Sequence, residues 1–241
     1  MSLLPLLVAA ALRASAASSD IALIASDGVH LAATYSPAPE ADAPALVLLP
    51  ILGGKRSDWE PFSRLAESAG VTTLLLDPRG HGGSENPYGK PPEGWPKPHW
   101  DDVDLDVLAA VAWLEARGVP PGRIVVGGAS IGGSLALRRA ACDRSLAGAA
   151  LVSAGDNPAR VPASEFLDAY GKRGIFIASA ADDPVFDAVA DNLVKRARGP
   201  VERLRLPSGG HGTAILADSD SGLALSRALL VWVRRVAGRA P

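Results

Sequence analysis

Ser130 lies at the centre of a pattern that could perform nucleophilic chemistry, the Gly-x-Ser-x-Gly that it forms with Gly128 and Gly132. An apolar run precedes the pattern, and residues 135–142, which follow it, favour a helix. Strand, tight turn and helix in this order predict a sharp turn that exposes the serine hydroxyl at the carboxyl end of a sheet, where it could attack a carbonyl carbon. An ordinary glycine-rich turn is the alternative, and the pentapeptide alone does not decide between the two.

A serine hydroxyl is a poor nucleophile by itself, so this chemistry also requires a base and a group that orients the base. Active sites in parallel sheets lie beyond the carboxyl ends of the strands, so polar residues that follow predicted strands are the candidates. These are Asp156 after strand 146–152, Asp182 and Asp183 after strand 174–179, and His211 after strand 201–206. Ser, Asp, His is the chain order associated with this serine turn. Spacing alone leaves all three aspartates open.

Apolar periodicity predicts strands and helices that alternate along the chain. After an antiparallel hairpin joined at Asp27-Gly28, the pattern predicts a mostly parallel, twisted sheet with helices on both faces, an α/β fold. No linker divides residues 20–241, so they are predicted to form one domain. The predicted strands are 21–25, 29–35, 45–49, 71–76, the run before Ser130, 146–152, 174–179 and 201–206, and the predicted helices are 59–69, 101–117, 135–142, 162–170, 184–198 and 219–236.

Four motifs make the sequence resemble the α/β-hydrolase family from about Asp20 to the C-terminus. They are Asp-Pro-Arg-Gly-His-Gly-Gly-Ser at 77–84, Gly-Ala-Ser-Ile-Gly at 128–132, Ala-Asp-Asp-Pro-Val at 181–185 and Gly-Gly-His-Gly at 209–212. Each is common by itself, but all four occur in the correct order and each follows a predicted strand. The resemblance implies Ser130 as nucleophile, His211 as base, an acidic residue that orients the histidine, and no cofactor.

The resemblance also favours Asp183 among the three aspartates. The family's acid usually stands in a turn just before a helix, and Asp-Pro-Val at 183–185 resembles that pattern. Proline suits the first position of a helix, which would place Asp183 near the N-cap. Asp182 is interpreted as facing solvent or bracing the loop. Asp156 follows the strand that some relatives use for the acid instead.

Negative charge that develops on the attacked carbonyl oxygen needs backbone N–H donors. One donor should be the N–H of Ile131, directly after the nucleophile. The other should come from loop 50–54, where Leu52 is preferred and Ile51 is the alternative. Many members of the family carry His-Gly where this chain has Pro50 and Ile51. The bulkier loop would narrow the acyl side of the pocket.

Together these residues predict a serine hydrolase that cleaves carboxylic esters through an acyl-enzyme intermediate. Only about twenty residues separate positions 152 and 174, where larger relatives insert a lid. A site that is lidless, or roofed by the Pro-rich loop 85–100, favours small or polar substrates. A serine peptidase or amidase would use the same residues, and a dienelactone-hydrolase-like enzyme also fits, although such enzymes commonly have Cys where this chain has Ser130. A non-catalytic binding protein on this fold is the alternative outside catalysis.

The other histidines and acidic residues are weaker candidates. His81 resembles a structural turn residue of the family, and His99 is interpreted as a surface residue of the Pro-rich loop. The acidic residues of 101–106 are interpreted as the start of a helix rather than as calcium ligands. No zinc-ligand spacing and no phosphate-binding Gly-x-x-x-x-Gly-Lys-Ser/Thr loop occurs in the sequence, so neither a metal nor a cofactor is predicted.

Composition is consistent with a globular enzyme. The 241 residues are 48% hydrophobic, and a formal net charge of −2 gives no reason to expect nucleic acid as a partner. The single cysteine, Cys142, excludes an internal disulfide and is predicted to be a small buried residue. The predicted partner is a small ester substrate, and the oligomeric state is open.

The first 19 residues resemble a secretory signal. An apolar core at 2–12, too short to span a bilayer, is followed by the small residues Ala14-Ser15-Ala16. No basic residue precedes the core, which departs from the signal pattern. Because the apolar core and the small residues fit the signal pattern in spite of this departure, export is predicted. A disordered start to a cytoplasmic protein is the alternative. Nothing else in the sequence predicts a membrane-spanning segment.

Overall fold

An eight-stranded sheet forms the centre of the protein in a computed structural model, which describes residues 17–238. The strand order is β1-β2-β4-β3-β5-β6-β7-β8. β1 pairs antiparallel with β2, β2 pairs antiparallel with β4, and every other neighbouring pair is parallel. This mostly parallel sheet with an antiparallel start confirms the predicted fold class. The strands are β1 Ser19–Ile24, β2 His30–Ser36, β3 Ala45–Leu49, β4 Thr72–Leu76, β5 Ile124–Ala129, β6 Gly148–Val152, β7 Ile175–Ala180 and β8 Val201–Leu206.

Helices cover both faces of the sheet, as predicted. Apolar residues of α1 and α6 belong to the core on one face, and those of α2 to α5 belong to the core on the other. The helices are α1 Glu60–Ser68, α2 Lys97–Glu115, α3 Ile131–Cys142, α4 Leu167–Tyr170, α5 Pro184–Arg196 and α6 Ser219–Ala237.

The central strands are buried on both faces because their side chains alternate between the two cores. In β3, Ala45, Val47 and Leu49 pack into one core, whereas Leu46 and Leu48 pack into the other. A strand that is apolar at every position is what such an arrangement requires. The parallel strands all end at one edge of the sheet, so the residues that follow them are brought together there.

The Pro-rich segment before α2 is more ordered than the sequence predicted. A 3₁₀ turn forms at Pro92–Gly94, and α2 begins at Lys97 rather than at Asp101. Pro98 does not interrupt this helix, because a residue in the first turn has no intrahelical hydrogen bond to lose. The prolines therefore marked the helix start, whereas the sequence analysis extended the loop through them.

The acidic residues of 101–106 consequently lie inside α2 and do not start it. Each has a partner: Asp101 with Arg138 at 2.8 Å, Asp102 with the Tyr88 hydroxyl at 2.5 Å, Asp104 with Arg139 at 2.7 Å and Asp106 with Arg79 at 2.7 Å. These contacts fasten α2 to the loop after β4 and to α3. The interpretation of these acids as a helix start is wrong, and their role is to join neighbouring elements.

Cys142 is exposed, so the prediction that it is buried was wrong. It is the last residue of α3, where the otherwise buried helix ends. Residues 1–16 lie outside the described part of the chain, and with them nearly all of the predicted signal. Within residues 17–238, no helix has the length and apolarity needed to cross a membrane.

Candidate active site

Ser130 occupies the turn between β5 and α3 with φ 52° and ψ −122°. Residues with side chains rarely adopt a positive φ, so this is the strained turn that the glycine pattern predicted. The flanking glycines are required by packing: a Cβ on Gly128 would lie 2.5 Å from the carbonyl carbon of Gly132. A Cβ on Gly132 would collide with the carbonyl oxygens of Leu49 and Pro50. The turn therefore packs tightly against the end of β3 through its glycines.

The loop after β3 carries Leu52 to the same place. A hydrogen bond of 3.0 Å from the Gly54 N–H to the Ile51 carbonyl closes a turn in which Gly53 has φ 70°. Leu52 is the first corner residue of this turn, so the turn does not use its N–H. Ile131 is the first residue of α3, and its N–H has no acceptor within the helix. Both residues line one cavity.

His211 and Asp183 are hydrogen bonded across the ends of β8 and β7. Nδ1 of His211 lies 2.7 Å from Oδ2 of Asp183. Asp183 is the N-cap residue of α5, with Pro184 following it, as the sequence predicted. The side chain of His211 is 32% exposed and that of Asp183 is 15% exposed. Because Nδ1 faces the carboxylate, Nε2 is the nitrogen left to exchange a proton with another group.

The loop that carries His211 is held on both sides of the histidine. Asp182 accepts hydrogen bonds of 3.1 Å from the N–H groups of the two glycines that precede His211. Ser153 Oγ accepts a hydrogen bond of 3.1 Å from the N–H of Gly212, the residue that follows His211. Asp182 therefore braces the loop, which was one of its two predicted roles.

Ser153 is a residue that the sequence analysis missed. It directly follows β6, its side chain is 0% exposed, and its φ is 48°. Among the residues that the structure describes, only Ser130 and Ser153 combine a side chain with a positive φ. Backbone strain of this kind persists only where the surroundings determine it. Ser153 is the first polar residue after β6, and this position is the sequence signal that distinguishes it from Asp156.

Asp156, the alternative acid, has a different partner. Its Oδ1 accepts a hydrogen bond of 2.8 Å from the N–H of Ser164. This bond closes a loop over residues 155–164 at the end of β6. The structure thus brings Asp183, and not Asp156, within hydrogen-bond distance of His211.

A cavity of about 550 Å³ contains Ser130 and His211. The Phe186 ring, one helical turn beyond Asp183, lies 4.0 Å from the ring of His211, centroid to centroid. Asp156, Asn157 and Arg160 also line the cavity. Most of its wall is apolar, from Ile51, Leu52, Ile131, Val161, Val185, Phe186 and Val189.

The Pro-rich loop 85–100, which the sequence offered as a roof if the site is not lidless, does not line this cavity. The loop after β6 lines it instead, through Gly155, Asp156, Asn157, Arg160 and Val161. Glu93 of the Pro-rich loop lies outside, where its carboxylate covers Gly53. The sequence did not predict that the loop after β6 lines the cavity. The path of a loop without a motif depends on its own hydrogen bonds, which the sequence pattern does not show.

His81 and His99 do not line the cavity. The side chain of His81 is 3% exposed, and its Nδ1 lies 3.0 Å from the Arg79 carbonyl oxygen. Burial lowers the pKa of His81, against the raising effect of that carbonyl. His99 is half-buried and stacks on Tyr88 with ring centroids 3.8 Å apart, so it is not the free surface residue that was expected.

A three-layer α/β fold with a serine in a strained strand-to-helix turn and a paired histidine and aspartate at the same sheet edge defines a class of hydrolytic enzymes. Residues 46–240 match the alpha/beta hydrolase family. The chain therefore belongs to the α/β-hydrolase family, which confirms the resemblance seen in its motifs. A comparison with curated proteins gave no match.

Solved structures support the same fold. The chain is similar to DcsB in complex with its substrate analogue, with a TM-score of 0.77 and 14% identity over 91% of this chain and 100% of the other. It is similar to the dienelactone hydrolase of Anabaena variabilis, with a TM-score of 0.73 and 14% identity over 91% of this chain and 98% of the other. It is also similar to ferulic acid-bound Est1E of Butyrivibrio proteoclasticus, with a TM-score of 0.73 and 17% identity over 90% of this chain and 99% of the other. At these identities the likeness is one of fold.

Proposed function

We propose that this protein is a serine hydrolase that cleaves small carboxylic esters through an acyl-enzyme intermediate. The observation that carries the proposal is the 2.7 Å bond between His211 and Asp183, in a cavity shared with Ser130. Family membership supports hydrolysis. A mostly apolar cavity of about 550 Å³ suits a small ester with apolar groups beside the carbonyl.

In the proposed mechanism, Nε2 of His211 takes the proton of the Ser130 hydroxyl as its oxygen attacks the ester carbonyl. The N–H groups of Ile131 and Leu52 bind the oxygen that becomes negative. The histidine then gives its proton to the departing alcohol, and a water activated by the same nitrogen releases the acid. Asp183 holds the ring in the required tautomer and stabilises the imidazolium.

A panel of 4-nitrophenyl esters, matching anilides and matching thioesters tests this function. We expect ester hydrolysis by the wild-type protein and a loss of about 10³-fold or more in Ser130→Ala, with circular dichroism unchanged. A fluorophosphonate probe should label the wild-type protein at Ser130 and leave the variant unlabelled. Equal turnover by Ser130→Ala would refute the nucleophile. No turnover and no labelling would favour a binding protein, and faster anilide cleavage would favour an amidase.

A further inference from the structure

Arg160 is a cationic residue in the wall of an otherwise largely apolar cavity. Among the described residues, its guanidinium donates one long hydrogen bond, of 3.5 Å to the backbone carbonyl of Glu93, and no carboxylate there pairs with it. Asp156 is the one carboxylate that lines the cavity, and its Oδ1 is bonded to the Ser164 N–H. A guanidinium carries five N–H donors, so most of the hydrogen-bonding capacity of Arg160 is unused.

The loop that carries Arg160 is built by its own hydrogen bonds. The Ala163 N–H donates to the Gly155 carbonyl at 3.2 Å. The next N–H along the chain, that of Ser164, donates to the Asp156 carboxylate, so two adjacent bonds close the loop. Inside it, the Arg160 N–H donates to the Asn157 carbonyl at 3.0 Å. Val161, directly after Arg160, is 2% exposed and packs into the core. The backbone of Arg160 is thus held in place beside the cavity before any substrate arrives.

A guanidinium beside apolar walls matches a planar anion at the end of an apolar chain. Resting on the proposed function of this site, we propose that its substrates are esters that carry a carboxylate, which Arg160 binds. The apolar wall takes the carbon chain between the ester and the carboxylate. The carboxylate can belong to the acyl group or to the alcohol, and the two give different test substrates.

Two matched substrate pairs test this proposal. For the acyl side, mono-4-nitrophenyl adipate is compared with 4-nitrophenyl hexanoate, which has the same chain length and no charge. For the alcohol side, 4-(butyryloxy)benzoate is compared with its methyl ester. All rates are measured above those of Ser130→Ala. In at least one pair, we expect wild-type kcat/KM to favour the anion by about tenfold or more, the effect of one charge-assisted hydrogen-bonded pair.

Variants assign this preference to Arg160. Arg160→Met should lose about 10- to 100-fold in kcat/KM on the anionic ester and far less on the neutral ester. Arg160→Lys should keep part of the preference, because it keeps the charge and loses the planar fork. Arg227→Met is the matched control, since it removes an exposed arginine of α6 that does not line the cavity. Arg160→Gln serves if the methionine variant does not fold.

The outcomes separate this proposal from the proposed function. Hydrolysis of the neutral esters without a preference for either anion would overturn the role of Arg160 and leave the esterase standing. Equal losses on charged and neutral esters in Arg160→Met would also overturn it. No hydrolysis of any ester would overturn the proposed function, and the role of Arg160 with it.

Discussion

The turns Gly80-His81-Gly82 and Gly210-His211-Gly212 share a local sequence, yet their histidines differ in solvent exposure and in hydrogen-bond partner. Both turns follow a strand at the carboxyl edge of the sheet. His81 is 3% exposed and its Nδ1 faces a backbone carbonyl, whereas the His211 side chain is 32% exposed and its Nδ1 faces a carboxylate. A histidine becomes a candidate base through its partner and its access, which the tripeptide does not specify.

The surroundings of the two turns explain the difference. Beside His81, Arg79 is enclosed by Asp27 and Asp106 at 2.7 Å each, and the rings of Trp95 and Trp100 lie 6.3 and 6.2 Å from the histidine. That turn uses its polar groups to join elements of the fold. Beside His211, the polar groups instead border an open cavity.

The sharpest way to break this comparison is to remove each histidine in turn. His211→Ala should lower kcat for a 4-nitrophenyl ester by about 10³-fold or more, because it removes the base of the proposed mechanism. His81→Gln should lower kcat by less than about tenfold and instead reduce stability, since it places an amide among buried rings. Steady-state kinetics and urea unfolding of both variants measure this. A large kcat loss in folded His81→Gln would reverse the assignment.

The adjacent aspartates sharpen the comparison at the next level. Asp183→Asn should lower kcat by about 10²- to 10⁴-fold, because an amide favours the wrong imidazole tautomer. Asp182→Asn is the matched control and should cost far less, since an amide oxygen can still accept a glycine N–H. Both variants should keep the wild-type circular dichroism. If Asp182→Asn or Asp156→Asn proved the crippling change, the third member of the site would be wrong.

Ser153 offers a smaller effect. Ser153→Ala removes the acceptor for the N–H after His211, so kcat should fall by about tenfold with KM little changed. Ser226→Ala is a suitable control, because Ser226 is 2% exposed and its hydroxyl bonds a backbone carbonyl at 2.8 Å on α6. It should lower stability to a similar degree without changing kcat. Equal losses of kcat in Ser153→Ala and Ser226→Ala would show that Ser153 contributes only to packing and does not position His211.

The smallest effect is the pH dependence of stability that His81 contributes. Burial lowers the pKa of His81, so the unfolded chain binds a proton here at a pH where the folded protein does not. Stability present above the ordinary histidine pKa of about 6.5 is therefore lost as the pH falls toward the folded value. His81→Phe should lose less stability than the wild type between about pH 8 and about pH 5, measured by urea midpoints. An identical loss in both proteins would contradict this.

The sequence predicted the fold class because hydrophobic periodicity and the alternation of strands and helices are signals that agree along the whole chain. It also predicted the turn at Ser130 and the N-cap position of Asp183, where glycine and proline restrict the backbone. Arg160 carried no such signal, because it reaches the cavity through a loop closed by contacts eight residues apart. Ser153 escaped because its role depends on a loop 59 positions later in the chain.

The strand order has a consequence for how the protein loses function on heating. Ser130 follows β5, which has a parallel strand on each side, whereas His211 follows β8, which in the described part of the chain pairs with β7 alone at the border of the sheet. Border strands open at a lower free energy than central ones, because fewer hydrogen bonds must break. Ser130 thus follows a strand that is hard to open, and His211 follows one that opens more easily. We therefore expect heating to separate His211 from Ser130 while the centre of the sheet is still folded.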